Sequence, residues 1–369
     1  MKIYSILLTV FLFTNQVQSQ IEACWKVISV RNYYSIGIRE DGSLWSWGRN
    51  RERQLGDGTN MNQAFPVKIS DFKWETIISG YNHSIGIKTD KTLLGWGSNE
   101  EGQLGNGTNY TKTYPAQINK FKWKTISAGE YHSLGIKDDG TLWAWGSNEE
   151  GQLGDGTDDD KNKPVQISDS IWKFVSAGFN YSLGIQEDGS LWGWGNNEDG
   201  QLGTDKFKIS AVPVKISSDK WTFIVSGFDY SLGIQEDGSL WSWGYNEFGQ
   251  LGDGSNKDKN FPVRIDDSEW LMVSAGEYHA LGIKKDGTLW GWGKNDNGQV
   301  GDGTQRNKNT PVLIDESQWK FVAAGFEHSL GIQKDGSLWG WGYNGYGELG
   351  FGVEFNRNIP TQVSFCNIN

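Results

Sequence analysis

The feature that most constrains this chain is a unit of 49 residues that recurs seven times. Its clearest form is WAWGSNEEGQLGDGT, residues 143–157. Three columns of single residues keep the 49-residue step: Trp47, Trp96, Trp145, Trp194, Trp243, Trp292 and Trp341; Trp25, Trp74, Trp123, Trp172, Trp221, Trp270 and Trp319; and Pro66, Pro115, Pro164, Pro213, Pro262, Pro311 and Pro360. Because the units fill nearly all of the 369 residues, the whole fold must be built by repeating one structural unit.

Each unit is predicted to form four short strands. In the second unit we place them at residues 66–69, 74–79, 84–88 and 92–96. The proline begins the first strand, where a missing N–H is tolerated. In six of the seven units Asp-Gly joins the last two strands, because glycine accepts the positive φ of a tight hairpin. The 50 glycines and 14% aromatic residues suit short strands and tight turns, and no helical period competes.

Seven four-stranded antiparallel units predict an all-β protein, a seven-bladed β-propeller, as one domain over residues 20–369. An open solenoid is the alternative, but it needs polar capping repeats, and the sequence shows none. The array begins at the Trp25 strand and ends with the Pro360 strand. We therefore expect the C-terminal strand, residues 360–365, to complete the blade begun by residues 25–30 and to close the ring. We also expect both tryptophans of each Trp-x-Trp pair to pack between blades.

Residues 1–19 have the layout of a secretory signal peptide. Lys2 precedes an apolar run at residues 3–13, and a polar stretch ends at Ser19. The apolar run is too short to span a bilayer, so we expect a secreted or periplasmic protein without a membrane span. A buried N-terminal strand and a lipoprotein signal ending at Cys24 are the alternatives.

The two cysteines, Cys24 and Cys366, occupy neighbouring positions of the repeat register at opposite ends of the array. In a closed ring they would meet, and export permits a disulfide there. Closing so long a loop could add up to roughly 4–5 kcal/mol in the chain-entropy model. We expect this disulfide, and metal binding by two lone cysteines is the alternative.

The segment AGEYHSLGIKDDGTLWAWGSNEEGQLGDGT, residues 128–157, resembles the repeat of the regulator of chromosome condensation family. The resemblance covers residues 21–365 and rests on the combination of His-Ser, Trp-Gly-x-Asn and Gly-Gln-Leu-Gly. It implies a seven-bladed propeller, in agreement with the unit count. It does not fix a function, since the family includes nuclear GTPase exchange factors, a plant UV-B photoreceptor and secreted β-lactamase inhibitor proteins.

The secreted inhibitors agree best with the predicted signal peptide. The exchange factors carry an inserted wedge and a basic tail, for which the uniform 49-residue spacing leaves no room. The photoreceptor carries Gly-Trp-Arg-His-Thr where this chain has GYNHS, GEYHS and GFNYS, from Gly80, Gly129 and Gly178. Ultraviolet sensing is therefore not expected.

All four histidines share one column of the repeat with three tyrosines: Tyr34, His83, His132, Tyr181, Tyr230, His279 and His328. A ring of imidazoles could bind a metal, but side chains on different blades need not converge, and the resemblance implies a packed structural role here. No Ser, His and Asp arrangement can be picked out from the repeat positions. We expect no metal, no cofactor and no enzymatic activity.

Just before this column every unit supplies one aromatic residue, and several carboxylates accompany them. Closure of the ring would gather these side chains around the axis on one face, as an aromatic and acidic rim. The rim consists of Tyr33, Tyr81, Tyr131, Phe179, Phe228, Tyr278, Phe326, Glu130, Asp229, Glu277 and Glu327. Rigid aromatic residues are typical anchors of protein interfaces, and carboxylates favour basic partners. Packing between blades is the alternative. We expect the variable segments before each proline to cover the opposite face.

The net charge of −11 argues against nucleic acid as a ligand, because binding to phosphates rests on Lys and Arg. We therefore expect a secreted β-propeller binding scaffold that holds a protein partner through one face of the ring. A carbohydrate-binding module that uses the same aromatic residues as stacking platforms is one alternative. Guanine-nucleotide exchange factor-like activity, by family analogy, is the other.

Overall fold

A computed structural model describes residues 24–352 and 355–364, which form seven four-stranded antiparallel sheets. Each sheet is one blade, and its strands lie side by side in the order that they have in the chain. The predicted all-β, seven-bladed propeller is therefore confirmed. The predicted signal peptide, and Cys366 with its predicted disulfide, lie outside the described residues.

The strands fall into four sets according to their position in the blade. The innermost strands are β1 Trp25–Arg31, β5 Trp74–Ser79, β9 Trp123–Ala128, β13 Trp172–Ala177, β17 Trp221–Ser226, β21 Trp270–Ala275 and β25 Trp319–Ala324. The second strands are β2 Tyr34–Arg39, β6 His83–Lys88, β10 His132–Lys137, β14 Tyr181–Gln186, β18 Tyr230–Gln235, β22 His279–Lys284 and β26 His328–Gln333. The third strands are β3 Leu44–Gly48, β7 Leu93–Gly97, β11 Leu142–Gly146, β15 Leu191–Asn196, β19 Leu240–Gly244, β23 Leu289–Gly293 and β27 Leu338–Gly342. The outermost strands are β4 Gln63–Ser70, β8 Lys112–Gln117, β12 Lys161–Ser168, β16 Ile209–Ser217, β20 Lys259–Arg264, β24 Lys308–Asp315 and β28 Arg357–Ser364.

The strands lie where the sequence predicts them, but the predicted boundary between blades was wrong. The sequence predicts the proline strand as the first of its blade, whereas the structure makes it the outermost strand of the preceding blade. In the first blade Ser46 of β3 pairs with Val67 of β4. The short link at residues 71–73 therefore joins two blades. A repeat has no intrinsic beginning, so its period predicts the strands without predicting which four share a sheet.

The predicted closure of the ring by the C-terminal strand was also wrong. β28 pairs with β27 of its own blade, with Gly340 opposite Thr361. The first and last blades instead pack side by side. The Trp25 backbone N–H donates to the Gly336 carbonyl at 3.0 Å, and Trp25 Nε1 donates to Ser364 Oγ at 2.9 Å. Each blade takes four consecutive strands, beginning with the innermost, so no strand is left over for exchange.

The second tryptophan of each Trp-x-Trp pair forms the core between blades. Trp145 is fully buried, its Nε1 donates to the Gln103 carbonyl of the preceding blade at 2.8 Å, and its ring meets Trp123 edge-on at 5.5 Å. A Cβ on Gly135 would lie 2.5 Å from the Trp123 ring, which explains the glycine in that strand. The first tryptophan of the pair, Trp143, is only partly buried, so the expectation that both pack as core was half right.

The histidine and tyrosine column forms a second set of bonds between blades. His132 is fully buried, and its Nε2 lies 3.0 Å from Ser182 Oγ of the next blade. The other three histidines make the same contact with a serine of the next blade. The Tyr230 hydroxyl also bonds to the next blade, by donating to the His279 carbonyl at 2.6 Å. This column is therefore structural. We call it, together with the buried tryptophans, the constant layer.

Candidate functional site

Strand direction separates the two ends of the propeller. The turns from first to second strands lie at one end, which we call the rim face, and the Asp-Gly hairpins lie at the other, the hairpin face. Third strands run toward the rim face, so the loops that follow them must begin there. The Ser147 N–H donates to the Tyr131 carbonyl at 2.9 Å, and the Asn148 N–H donates to Asp160 Oδ1 at 2.7 Å. The variable segments before each proline therefore begin beside the rim, and the prediction that they cover the opposite face was wrong.

The structure places all eleven predicted rim residues in the turns at the rim face. The seven aromatic rings are partly exposed, as are Asp229, Glu277 and Glu327. Glu130 is buried, with 6% of its surface exposed. The rim thus combines contacts within the protein with surface that a partner can reach.

Each unit builds its part of the rim from two successive positions, one aromatic and one polar. In four units the aromatic residue comes first: Tyr81, Phe179, Phe228 and Phe326, followed by Asn82, Asn180, Asp229 and Glu327. In the other three it comes second: Tyr33, Tyr131 and Tyr278, preceded by Asn32, Glu130 and Glu277. The order decides where the ring lies, because successive residues of a turn project in different directions.

The rings in the first position converge on the axis. Phe179 and Phe228 pack with ring centroids 3.8 Å apart, and Tyr81 meets Phe326 at 6.3 Å although blade 1 lies between their blades. Together with Arg31 these four rings line a small cavity of about 10 Å³. We call them the inner rings.

Two rings in the second position reach outward to the loops after the third strands. Tyr33 contacts Tyr343 and Tyr346, with centroids 5.4 and 5.2 Å apart. Tyr278 contacts Tyr245 at 5.9 Å and Phe248 at 5.1 Å. These four loop residues extend the rim outward, and the sequence analysis missed them.

A sequence signal for these four residues does exist. They stand at two variable positions of the Trp-Gly-x-Asn loop. At the second of these positions four units carry Glu52, Glu101, Glu150 and Asp199, whereas Phe248 and Tyr346 are aromatic. The departures from the repeat could have been used to find them, but only the ring geometry shows that they reach Tyr33 and Tyr278.

Glu130, Asp229 and Glu277 of the rim have raised pKa values because the surrounding protein shields their carboxyl groups from water. Burial is the largest cause in each case, and it raises the pKa of Glu130 to about 7, of Asp229 to about 7 and of Glu277 to about 8. The neighbouring Asp199 adds to the effect at Asp229. Glu327 is instead paired with Lys294, with Oε1 and Nζ 3.0 Å apart. The charge of the rim therefore grows more negative as the pH passes through neutrality.

Neither a metal centre nor a membrane-spanning helix is found in the described part of the chain. Within residues 24–352 and 355–364, no three His, Cys, Asp or Glu side chains are grouped so that they could hold a metal ion. The same residues contain no helix long and apolar enough to cross a bilayer. The Nε2 atoms of the four histidines form hydrogen bonds with serine hydroxyls of neighbouring blades.

The blades, their constant layer and the turns of the rim define a propeller built from repeats of the regulator of chromosome condensation type. Residues 168–368 match the family described as RCC1-like domain. The family described as regulator of chromosome condensation (RCC1) repeat matches residues 41–87, 90–136 and 139–185, and a second model of that repeat matches residues 123–152. The chain belongs to the RCC1-like family.

Several solved structures have the same fold. Human WBSCR16 superposes with a TM-score of 0.79 at 21% identity, over 88% of this chain and 94% of that one. Yeast RCC1 (Prp20), solved with Kap60 bound to it, gives 0.78 at 22% identity, over 94% and 86%. Prp20p from Saccharomyces cerevisiae, described with its binding properties to Gsp1p and histones, gives 0.77 at 24% identity, over 93% and 88%. At these identities the likeness shows the fold alone. No curated protein sequence matches this chain.

Proposed function

We propose that this protein is an extracytoplasmic binding scaffold that holds a protein partner on its rim face. The observation that carries the proposal is the rim itself. Seven partly exposed aromatic rings and four carboxyl groups are gathered around one end of the ring, at positions that vary while the neighbouring layer repeats. Rigid aromatic residues at the centre of a patch are the usual anchors of protein interfaces.

The electrostatics of the rim favour a basic partner segment. Asp229 and Glu277 lie beside aromatic rings and are shielded from water, so a Lys or Arg from a partner would face a carboxylate in a site of low polarity. Such a partner would also lower the pKa of these carboxyl groups and keep them ionised. The net charge of −11 adds a long-range attraction for basic proteins.

The use of this fold elsewhere supports a protein as the partner. Yeast RCC1 (Prp20) has been solved with Kap60 bound to it, and Prp20p is described with binding to Gsp1p and histones. A role without catalysis agrees with the engagement of all four histidines in bonds between blades.

The extracytoplasmic location rests on the predicted signal peptide of residues 1–19 and on a proposed disulfide between Cys24 and Cys366. Each cysteine lies within two residues, along the chain, of a residue that takes part in one described contact between Trp25 and Ser364. Trp25, next to Cys24, donates through Nε1 to Ser364, two residues before Cys366, at 2.9 Å. This contact brings the first and last strands together at the seam of the ring, and an oxidising compartment would permit the bond.

A capture experiment with a matched control tests the proposal. Residues 20–369 are used to capture partners from the native extracellular fraction, beside the variant Tyr131→Ala, Phe179→Ala, Phe228→Ala. The control variant, Phe65→Ala, Tyr114→Ala, Phe261→Ala, removes three apolar side chains that are 61%, 62% and 52% exposed on the outer strands. We expect the rim variant to bind the purified partner at least about 100-fold more weakly, because anchor residues typically contribute 2 kcal/mol or more each. The control should bind as the wild type does.

The other outcomes separate the alternatives. Equal capture by the wild type and by a folded rim variant would show that the rings only pack against each other, and the proposal would fail. Capture of no protein, with binding on a glycan array, would favour the carbohydrate-binding module. Stimulated nucleotide release from a GTPase would favour an exchange factor-like activity.

A further inference from the structure

One residue of the first unit departs from a column that is otherwise glycine. The residue before the two rim positions is Gly80, Gly129, Gly178, Gly227, Gly276 and Gly325 in six units, and Arg31 in the first. These glycines are required by space. A Cβ would lie 2.3 Å from the His83 ring at Gly80 and 2.1 Å from the Tyr181 ring at Gly178. The first unit thus introduces the longest cationic side chain where the repeat otherwise excludes any side chain.

Arg31 lies at the end of a cavity that runs along the propeller axis. The cavity has a volume of about 260 Å³ and is lined by the seven innermost strands. Its wall is bulky and apolar on blades 4 to 7, at Phe174, Phe223, Met272 and Phe321. Among the described residues that line the cavity, Arg31 carries the charge. It also lines the small cavity beneath the inner rings, so it stands at the rim-face end of the axis.

The serine side chains of the cavity wall take part in hydrogen bonds between blades. Ser29 and Ser79 bond to each other at 2.7 Å. Ser127 Oγ accepts the Ala177 N–H at 2.9 Å, and Ser176 Oγ accepts the Ser226 N–H at 2.9 Å. These serine oxygens stabilise the junctions between blades, and Arg31 is the charged donor among the described residues that line the cavity.

Among the described residues, the guanidinium of Arg31 has no counter-charge in contact with it. Within residues 24–352 and 355–364, no hydrogen bond or ion pair engages its side chain. Burial lowers the pKa of Arg31, and the groups that oppose this effect are Tyr181, Glu130, Tyr230 and Tyr34. The raised pKa of Glu130, about 7, weakens the one carboxylate among them near neutral pH. An unpaired cation held away from water is costly, so an anion bound beside it would stabilise the fold.

The opposite end of the axis is basic. A β-bulge leaves the second residue of each innermost strand unpaired at the hairpin face. Four of these residues are exposed lysines: Lys26, Lys124, Lys173 and Lys320. The one acidic residue in this set, Glu75, is paired with Lys91 at 2.7 Å. Lys320 is paired with Glu40, with Nζ and Oε1 3.4 Å apart, so Lys26, Lys124 and Lys173 are the lysines that attract anions to this end of the cavity.

We propose that the axial cavity binds a small organic monocarboxylate, which enters from the hairpin face and is held by Arg31, with its apolar part against Phe174, Phe223 and Met272. A guanidinium matches the two oxygens of a carboxylate with two parallel hydrogen bonds. One cation and an apolar wall suit one carboxylate with a short hydrocarbon body better than phosphate, which carries more charge and needs more donors. The volume is below the roughly 300–1,000 Å³ of sites for drug-sized ligands, so the ligand is small.

The test uses sodium octanoate as the probe, with isothermal titration calorimetry on residues 20–369. The central variant is Arg31→Gly, which restores the residue that the six other units carry and should therefore fold. We expect octanoate to bind the wild type and to bind Arg31→Gly at least about ten-fold more weakly, since hydrogen bonds to a charged group are stronger than those between neutral groups. Octan-1-ol and inorganic phosphate should each bind the wild type more weakly than octanoate does. The outer-strand variant Phe65→Ala, Tyr114→Ala, Phe261→Ala should bind octanoate as the wild type does.

Three results would overturn the proposal. Octanoate could fail to bind the wild type, it could bind the Arg31→Gly variant with equal affinity, or phosphate could bind as tightly as octanoate. If near-UV circular dichroism shows that Arg31→Gly has not folded, Arg31→Gln takes its place, because it keeps most of the side-chain length and removes the charge. The same ten-fold loss is expected of it.

Discussion

The constant layer and the rim are adjacent in every unit, yet they follow opposite rules. In the constant layer one residue type or its equivalent recurs seven times, and its side chains bond to neighbouring blades, as His132 does to Ser182 and Trp145 does to Gln103. In the rim, one or two residues earlier, aromatic and polar residues exchange positions between units, and the rings touch one another at the surface. A position repeats where all seven junctions need the same bond. It is free to vary where its contacts are made only around the axis.

Burial also shifts the titration of the two regions in opposite directions. It lowers the pKa of His83, His132, His279 and His328 to about 3, because the imidazolium form would lose its hydration. In the rim it raises the pKa of carboxyl groups such as Glu277, to about 8. In both regions the neutral form is favoured. The histidines of the constant layer stay neutral at physiological pH, whereas Glu130, Asp229 and Glu277 of the rim titrate near it.

The largest expected effect comes from removing a side chain of the constant layer. Trp145→Ala should lower the free energy of unfolding by about 3–5 kcal/mol, because it leaves a cavity between blades and removes the hydrogen bond from Nε1 to the Gln103 carbonyl. Equilibrium unfolding in guanidinium chloride measures the loss. Trp143→Ala, two residues away and only partly buried, is the control and should cost clearly less. Equal losses would mean that the two tryptophans of the pair do not differ as their burial indicates.

The second prediction asks whether the constant layer closes the ring without help. At the seam it repeats the contacts of the other junctions, with His328 Nε2 3.1 Å from Ser35 Oγ and Trp47 Nε1 donating to the Glu348 carbonyl at 2.8 Å. If the proposed disulfide is present, Cys24→Ser should lower stability by about 2–4 kcal/mol and leave the propeller folded. Thermal unfolding and circular dichroism measure both effects. Two free thiols in the untreated wild type would contradict the disulfide, and an unfolded variant would contradict closure by the constant layer.

The third prediction concerns acid and the histidines. Their folded pKa values are lowered, so between pH 6.5 and 3 the unfolded chain binds protons that the folded chain does not, and stability falls as the pH falls. Each histidine contributes a slope of up to about 1.4 kcal/mol per pH unit. His132→Tyr removes one titrating group and borrows the residue that occupies the same column at Tyr181. Its stability, measured between pH 7 and 4.5, should fall less steeply than that of the wild type. A steeper or unchanged slope would refute the assignment.

The fourth prediction has the opposite sign and lies in the rim. The folded pKa of Glu277 is raised, so its contribution to stability is full below its unfolded pKa and is lost as the pH rises through about 8. Glu277→Gln removes this loss. From pH 5 to pH 8.5 the variant should gain stability relative to the wild type, as chemical unfolding at each pH would show. Glu327→Gln is the control with a different outcome, because it leaves Lys294 unpaired and should not give this gain. A flat difference for Glu277→Gln across this range would contradict the raised pKa.

Much of the candidate site could be predicted from the sequence, for a local reason. A turn that precedes the same strand in every blade must lie at the same end of the ring, so the rim residues could be placed together from their column alone. The division of the rim into rings that point inward and rings that point outward could not be predicted. The direction of Tyr33 or Phe179 depends on the conformation of a turn in which the aromatic and the polar residue exchange order between units. Nor could the contact of Tyr33 with Tyr346, since it joins residues brought together only at the seam.

By itself, the sequence determined the number of blades, the strands, the hairpins and the layer that joins the blades. These features depend on local sequence patterns: alternating side chains in the strands, glycine where φ is positive, and tryptophan at the spacing that packing requires. The same patterns recur in all seven units. The tertiary structure decided which four strands share a sheet, how the ring closes, which face the variable loops occupy and that Arg31 stands on the axis. A period has no starting point, and a residue faces the axis only once seven blades have closed around it.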